Sequence, residues 1–322
     1  MNRSKRFLLL PLALLAAVCH LQSQPSAADT LTVTFAGDML FDRGVRRVIE
    51  LHGYDHLFSP SVDSVFRSSQ LVVGNLECPA TRCGNPVFKR FMFRADPECL
   101  DALHAHGVTH LNLANNHSVD QNREGLMDTR RNILQRGMVP LGADTTMAAA
   151  QQPCLLGEAG RPVFVLTSLQ MPLENYTYLP QQPSPSMFSA ESLARSISRL
   201  RHDHPNAYII LCLHWGVEHT LKPLPVQRMQ AHRFIRAGAD IIIGHHPHTL
   251  QTIEHFEGHP IYYSIGNFIF DQQHPINTRA CMVRLTITPT TAHAETIPVT
   301  IRNCVPHVDA AQQPVDPVNT PD

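Results

Sequence analysis

The stretch Ile241–His248, with the sequence IIIGHHPH, combines a buried strand with a group of histidines. Its three isoleucines form an apolar run that is too short for a helix and typical of a strand buried on both faces. Gly244 ends the run, so the chain can turn and aim His246 and His248 into one crevice. Open α/β sheets bind ligands in the crevice at the carboxyl ends of their strands, and neutral imidazole is a common metal ligand. The stretch therefore predicts a metal site, with a histidine-rich surface turn as the alternative.

Length and composition set broad limits on the fold and the partners. The chain has 322 residues, of which 43% are hydrophobic, so it can bury the core of one large domain or two small ones. Its formal charge of −1 shows no basic footprint, and we expect no nucleic-acid partner. Twenty histidines are many for this length. They are not gathered in one tract, which favours a metal site over metal storage.

The amino terminus, residues 1–28, has the pattern of a secretory signal peptide. A basic start precedes an apolar run at 7–18 that is too short for an ordinary transmembrane helix, and small residues predict cleavage after Ala28. An uncleaved anchor is the alternative. We therefore expect export to the periplasm or cell envelope of one domain at 29–305. The Pro-, Gln- and Asp-rich tail at 306–322 is expected to be disordered.

Cysteine usage adds one expectation about covalent structure. The chain has eight cysteines, and in an oxidising compartment some should pair. Cys78, Cys83 and Cys99 lie close in sequence, which predicts one disulfide, either Cys78–Cys83 or Cys83–Cys99. Cys212 lies in an apolar strand and is expected to be a buried thiol.

One arrangement recurs along the chain: an apolar strand, a turn, and then a polar side chain of a type that binds metal. The residues in these positions, all candidate metal ligands, are Asp38, Glu77, Asn116, His214, His246 and His248. Parallel strands direct their following loops to the same edge of a sheet, so we expect the six side chains to converge. Oxygen and imidazole donors without cysteine suit Mn, Fe or Zn. For Asp38 alone, the alternative is a helix N-cap.

The segments between these strands complete an α/β pattern. Helical patterns at 97–106 and 191–201 alternate with the apolar strands. Residues 282–287 and 296–301 alternate between apolar and polar, as antiparallel edge strands do. The proline-rich stretch 171–187 is expected to be an irregular flap.

Six motifs in this order resemble those of the CapA (poly-γ-glutamate capsule biosynthesis) family, which is similar to the calcineurin-like metallophosphoesterases. They are Gly37-Asp38, Asn75-Leu76-Glu77, Asn115-Asn116-His117, His214-Trp215-Gly216-x-Glu218, Gly244-His245-His246-Pro247-His248 and Tyr263-Ser264-Ile265-Gly266-Asn267-Phe268-x-Phe270-Asp271. The match covers roughly residues 31 to 290. The resemblance implies a four-layer α/β/β/α metallophosphoesterase-like sandwich with a dinuclear metal site between its sheets.

The resemblance also implies roles for single residues. Asp38 would bind one divalent ion and Asn116 the other, the histidines would complete both sites, and His117 would face the leaving group. Two positions depart from the superfamily pattern. Leu40 stands where the first motif usually has a histidine, and Glu77 is the carboxylate available where the second motif has a bridging aspartate.

Two functions are compatible with these residues. The first is a metal-dependent hydrolase or transferase that uses activated water, with His117 as candidate acid and Arg43 as a second catalytic residue. Its candidate substrate-binding residues are Lys89, Arg94, Glu218 and Asn267. The family name implies poly-γ-glutamate or a related anionic envelope polymer, or a small anionic substrate. The second is a non-catalytic polymer-binding or assembly subunit, with membrane proteins of capsule synthesis as possible partners. A solvated basic edge is the alternative for the cations near residue 90.

Overall fold

The computed structural model describes residues 29–309, which form two large β-sheets stacked face to face, with helices covering both outer surfaces, and one small two-stranded sheet. The layers follow the order α/β/β/α, which confirms the predicted sandwich. The predicted signal peptide at 1–28 lies outside the described residues, as does the tail from 310. Among residues 29–309, none of the helices combines the length and the apolar character needed to cross a bilayer.

Helices and strands alternate through most of the chain. The helices are α1 (Arg43–His52), α2 (Pro60–Arg67), α3 (Cys99–Ala105), α4 (Asn122–Gln135), α5 (Met147–Ala150), α6 (Ala190–Asp203) and α7 (Pro225–Arg236). The strands are β1 (Leu31–Met39), β2 (Leu71–Leu76), β3 (His110–Asn112), β4 (Val139–Leu141), β5 (Ala143–Asp144), β6 (Cys154–Glu158), β7 (Pro162–Leu169), β8 (Ser184–Pro185), β9 (Tyr208–His214), β10 (Ile241–His245), β11 (Ile253–Phe256), β12 (His259–Tyr262), β13 (Asn267–Ile269), β14 (Arg279–Ile287), β15 (Ala292–Arg302) and β16 (Val305–Val308).

The strand order places several parallel strand ends side by side. The first sheet runs β16-β15-β14-β1-β2-β3-β4, and β13 pairs with the end of β1. Within it β1 to β4 are parallel, whereas β14 to β16 are antiparallel. The second sheet runs β11-β12-β10-β9-β7-β6, with β7, β9, β10 and β12 parallel. Each sheet therefore contributes a set of parallel strands whose carboxyl ends can carry a site.

Apolar side chains fill all three interfaces between the layers. Phe35 and Ile243 belong to the cluster between the two sheets. The helices α1 to α4 bury Phe66 and Leu100 against the first sheet, and α6 and α7 cover the second. Because β10 is buried on both faces, its run Ile241–Ile243 is apolar throughout and fully inaccessible. This double burial explains why the strand was recognisable from sequence.

The carboxyl-terminal strands differ from the sequence prediction in two ways. The stretches predicted as edge strands are antiparallel, as expected, but β14 lies inside the sheet between β1 and β15. The edge is β16, which occupies the start of the predicted tail at 306–322. Tertiary hydrogen bonds order this segment: Ser59 Oγ donates to the Pro306 carbonyl at 2.7 Å, and the Val308 N–H donates to Ser61 Oγ at 3.0 Å.

The predicted disulfide among Cys78, Cys83 and Cys99 is not formed in the structure, where all three residues are free thiols. Cys78 and Cys99 are completely buried, and burial raises the pKa of both thiols above the usual value. Cys212 is a buried thiol, as predicted.

Candidate metal centre

The six predicted ligands meet where the parallel strand ends of the two sheets face each other. The oxygen donors belong to the first sheet: Asp38 lies near the end of β1, and Glu77 and Asn116 follow β2 and β3. The imidazoles of His214, His246 and His248 lie at the end of β9 or follow β10 in the second sheet. Oxygen and nitrogen donors therefore come from opposite sheets.

The loop after β10 needs an unusual backbone to present its histidines. His246 and His248 have backbone φ angles of 97° and 55°, and residues other than glycine rarely adopt positive φ angles. Their ring centroids lie 6.0 Å apart. A Cβ at position 244 would meet the Tyr263 carbonyl oxygen at 1.9 Å, so the strand can end this way only with Gly244. Backbone strain of this kind concentrates at functional sites.

Asp38 connects the two sheets through its carboxylate. It accepts hydrogen bonds from Asn75 Nδ2 at 2.8 Å and from His245 Nδ1 at 3.1 Å. The second oxygen lies 3.2 Å from His248 Nδ1. Complete burial opposes ionisation, but the hydrogen bonds with His245 and His248 hold the pKa of Asp38 well below its usual value. Asp38 is therefore an ionised carboxylate that also orients neighbouring imidazoles.

Glu77 provides the most direct test of whether these residues fit a cation. It is fully buried, and neither carboxylate oxygen has a hydrogen-bond partner among the described residues. Burial, followed by the charge of Asp38, raises the pKa of Glu77 well above its usual value. Its Oε1 lies 3.6 Å from His214 Nε2 and 3.7 Å from His248 Nε2. Donors that share an ion at about 2 Å are separated by such distances, and a cation would satisfy the buried charge.

His214 presents a neutral imidazole to the same space. Its Nε2 lies 2.8 Å from Asn116 Oδ1, while Nδ1 lies 3.4 Å from Asn75 Nδ2. Burial, and then the neighbouring His246, lower the pKa of His214 well below its usual value. Neutral imidazole is the form that binds metal.

The donors form three overlapping sets, each with its atoms within 4.8 Å of one another. The sets are Asp38, Glu77 and His248; Glu77, His214 and His246; and Glu218, His246 and His248. Members shared between sets allow two ions to be bound side by side. The arrangement therefore fits divalent cations.

His117 lies next to this cluster, and its imidazole is positioned by Asp120 and Phe93. Its Nδ1 lies 2.8 Å from Asp120 Oδ2, which also accepts a hydrogen bond from the Phe93 N–H at 2.7 Å. The imidazole stacks on the Phe93 ring at a centroid distance of 4.2 Å. Burial lowers the pKa of His117, although Asp120 opposes the shift. Because Nδ1 is engaged by Asp120, Nε2 remains available for proton transfer.

Two of the four predicted substrate contacts lie inside the protein. Lys89 is buried, with Nζ 2.5 Å from Asp120 Oδ1 and 2.9 Å from the Asn116 carbonyl oxygen, so it supports the loop that carries His117. Asn267 is also buried, and its Oδ1 lies 2.9 Å from His248 Nδ1. Both residues are placed to position ligands rather than to meet a substrate, because their polar atoms are already paired.

The other predicted residues lie at the margin of the centre. Arg43 pairs with Asp271, and its guanidinium lies 5.1 Å from the centroid of the Phe93 ring. Arg43 therefore lies against the Phe93 ring and outside the cluster of candidate metal ligands. Arg94 is exposed; its backbone N–H donates to Asp42 Oδ2 at 2.8 Å, and its carbonyl accepts a hydrogen bond from the Arg46 guanidinium. Glu218 is exposed but lies close to two of the histidines.

Sequence reasoning missed three residues that build the site: Asn75, Asp120 and His245. Asn75 donates to Asp38 and accepts from Asn112 Nδ2 at 3.0 Å, so it links two strands. A signal was present for Asp120, which follows His117 by three residues and can reach the same ring. His245 is the first histidine of the GHHPH motif and was passed over in favour of the two that follow.

Comparisons with known proteins agree on one family. The profile of the "Bacterial capsule synthesis protein PGA_cap" family matches residues 32–272. The "PGA biosynthesis protein CapA" of Bacillus subtilis (strain 168) is 32% identical over 247 residues, covering 76% of this chain and 64% of the relative. The "Capsule biosynthesis protein CapA" of Bacillus anthracis is 31% identical over 250 residues, covering 76% and 61%. The chain thus spans less than two thirds of the length of either relative.

Among solved structures, the NAD nucleotidase NadN of Haemophilus influenzae aligns with a TM-score of 0.47 and 11% identity, over 84% of this chain and 50% of that one. The family assignment depends on the sequence matches, which cover well over half of the chain. The chain belongs to the bacterial capsule synthesis protein family PGA_cap.

Proposed function

We propose that the protein is an exported, metal-dependent hydrolase or transferase that acts on poly-γ-glutamate or a related anionic envelope polymer. The names of the two Bacillus relatives, a PGA biosynthesis protein and a capsule biosynthesis protein, support the choice of polymer. The observation that carries the metal chemistry is Glu77, a buried carboxylate between two histidines with neither oxygen hydrogen-bonded within residues 29–309. Such a group is stable only when a proton or a cation neutralises it.

The donor sets support a proposal for two ions. Asp38, Glu77 and His248 would hold one ion, and Glu77, His214, His246 and Asn116 the other. The donor types suit Mn, Fe or Zn. Divalent ions bound there would supply a Lewis acid and a nucleophile derived from water at neutral pH.

The protein's own contribution to proton transfer falls to His117. Asp120 engages Nδ1, so a proton on Nε2 can pass to the leaving group as its bond breaks. Lys89 holds the other oxygen of Asp120, which prevents the carboxylate from turning away from the imidazole. A general acid in such a position contributes about 10²–10⁴-fold to the rate.

A non-catalytic polymer-binding or assembly subunit is the second candidate. Leu40 favours it, because this fully buried residue stands where the similar metallophosphoesterases have a histidine, so that donor is missing. His117 favours the catalytic function, since a binding protein needs residues that hold the metal but no proton donor.

Metal analysis combined with activity assays separates the two functions. The purified protein is assayed for Mn, Fe and Zn, and then for turnover of γ-glutamyl peptides and phosphoesters. We expect bound metal and turnover of at least one class, with both lost in Glu77→Gln. Bound metal with polymer binding but no turnover would support the assembly subunit. Full metal occupancy in Glu77→Gln would contradict the metal centre itself.

A further inference from the structure

Glu218 differs in exposure from the other carboxylates near the metal centre. Its side chain is 44% exposed, whereas those of Asp38 and Glu77 are completely buried. One carboxylate oxygen nevertheless lies within 4.8 Å of donor nitrogens of both His246 and His248. A carboxylate thus reaches the cluster from the solvent side.

The backbone that carries Glu218 is fixed relative to these histidines. The Trp215 N–H donates to the His245 carbonyl at 3.1 Å, and the His219 N–H donates to the Pro247 carbonyl at 2.8 Å. These two hydrogen bonds tie the turn to the histidine loop on both sides of Glu218. The backbone of Glu218 is therefore held beside the cluster by hydrogen bonds on both sides.

Little holds the carboxylate of Glu218 in one place. Outside the cluster, His219 Nε2 lies 3.7 Å from Oε2, and no hydrogen bond to the carboxylate occurs in the described part of the chain. By contrast, Asp38 is held by several donors. A rigid backbone with an unrestrained carboxylate suits a ligand that binds and leaves.

We propose that Glu218 is the exchangeable ligand of the metal centre: its carboxylate, which lies within reach of His246 and His248, adds to the ion that His246 helps to hold, and it yields this position to a carboxylate of the substrate. The inference rests on the metal centre proposed above and goes beyond it in naming the point of substrate entry. One carboxylate–metal contact breaks as another forms, so the charge of the centre is unchanged and no proton moves. In the absence of substrate, Glu218 retains the cation.

Metal release tests this role without relying on activity. Protein loaded with Mn²⁺ is mixed with excess EDTA, and the release rate is compared for wild type, Glu218→Gln and the control Glu174→Gln, which changes an exposed glutamate outside the three donor sets. We expect Glu218→Gln to release Mn²⁺ roughly tenfold faster or more, since loss of an outer contact to a metal ligand already costs about 10–100-fold in affinity. Equal rates in all three proteins would overturn the proposal.

A second test asks whether Glu218→Gln strengthens or weakens the binding of a short γ-glutamyl oligomer. The affinity is measured by calorimetry on Mn²⁺-loaded protein. If Glu218 occupies the position about nine-tenths of the time, removing it strengthens oligomer binding about tenfold. A residue that contacts substrate directly would instead weaken binding when replaced, and either weaker or unchanged binding would contradict an exchangeable ligand. If the oligomer binds neither protein, the proposed polymer fails, and the release rates alone decide the role of Glu218.

The variant Glu77→Gln distinguishes a failure of the proposed metal centre from a failure of the proposed role of Glu218. This variant should fail to load Mn²⁺ at all, because it loses the buried carboxylate shared by two donor sets. If Glu77→Gln loses the metal while Glu218→Gln releases it at the wild-type rate, the metal centre stands and the exchangeable ligand does not.

Discussion

His117 Nδ1 lies 2.8 Å from Asp120 Oδ2, and Lys89 Nζ lies 2.5 Å from the other oxygen of the same carboxylate. All three side chains are nearly or fully buried. The arrangement fixes the plane of the imidazole beside Asn116, a predicted metal ligand. It separates two properties that mutation can test independently: proton transfer at His117 and stability at Lys89.

Replacing His117 with asparagine should reduce turnover by about 10²–10⁴-fold, the usual contribution of a general acid. Metal content and polymer affinity should remain, because His117 is in none of the three donor sets. Steady-state kinetics and elemental analysis provide the measurements. Loss of metal in His117→Asn would instead identify this residue as a ligand.

Replacing Lys89 with methionine should destabilise the protein by about 3–5 kcal/mol, because it leaves the buried charge of Asp120 without its ion-pair partner. Arg94→Met is the matched control: it removes a cation from the same segment, but one that is exposed, and should change stability by less than about 0.5 kcal/mol. Urea denaturation of both variants is the measurement. If Lys89→Met changed the free energy of unfolding as little as Arg94→Met, the buried ion pair would be contradicted, and Lys89 would instead fit the substrate-binding role predicted from the sequence.

The pH dependence of stability can be tested at Glu254, which belongs to none of the three donor sets. Partial burial opposes its ionisation, but hydrogen bonds from Arg228, Tyr263 and His232 lower its pKa overall. The Tyr263 hydroxyl donates to Oε2 at 2.8 Å, and His232 Nε2 lies 2.7 Å from Oε1. A carboxyl whose pKa is lower in the folded state stabilises the protein above its unfolded pKa, and this contribution is lost as the pH falls through the folded value.

Glu254→Gln should therefore be less stable than wild type at pH 7, and the difference should shrink below about pH 4, near the unfolded pKa of glutamate. Denaturation at pH 7 and pH 3 tests this. The control Glu257→Gln removes an exposed pair with Arg236 and should have little effect at either pH. A difference that grows on acidification would contradict the lowered pKa.

Export remains a prediction from the first 28 residues. The mature protein should begin near Asp29, because small residues precede that position. Amino-terminal sequencing of protein recovered from the cell envelope is the measurement. An intact Met1 in cytosolic protein would contradict export.

The sequence was sufficient to place the candidate ligands because each lies at or after the end of an apolar strand. Parallel pairing brings Asp38 beside Glu77 within the first sheet and His214 beside the histidine loop within the second, and stacking of the two sheets then brings both groups together. The alternation of strands and helices predicted only an α/β protein, and the four layers were implied by the resemblance to the CapA family. The strand ends were predictable because they depend on local patterns that the chain repeats.

Features that depend on distant contacts could not be predicted in this way. Lys89 was expected to face a substrate because it lies in a basic loop, but its partner Asp120 is 31 residues further along the chain. Residues 306–308 were expected to be disordered because the tail that they begin is rich in Pro, Gln and Asp, yet Ser59 and Ser61 form hydrogen bonds with this segment from much earlier in the sequence. In both cases long-range packing outweighs local composition.

The division of donors between the sheets has a mechanical consequence. Asp38 and Glu77 are anchored in one sheet, whereas His214 and His248 are anchored in the other. An ion bound by both groups closes this end of the sandwich as a cross-link does, without any disulfide. Local opening of the two sheets then requires the ion to leave first. Amide hydrogens at the ends of β1 and β10 should exchange faster after chelation, while those of β11, at the margin of the second sheet, keep their rates.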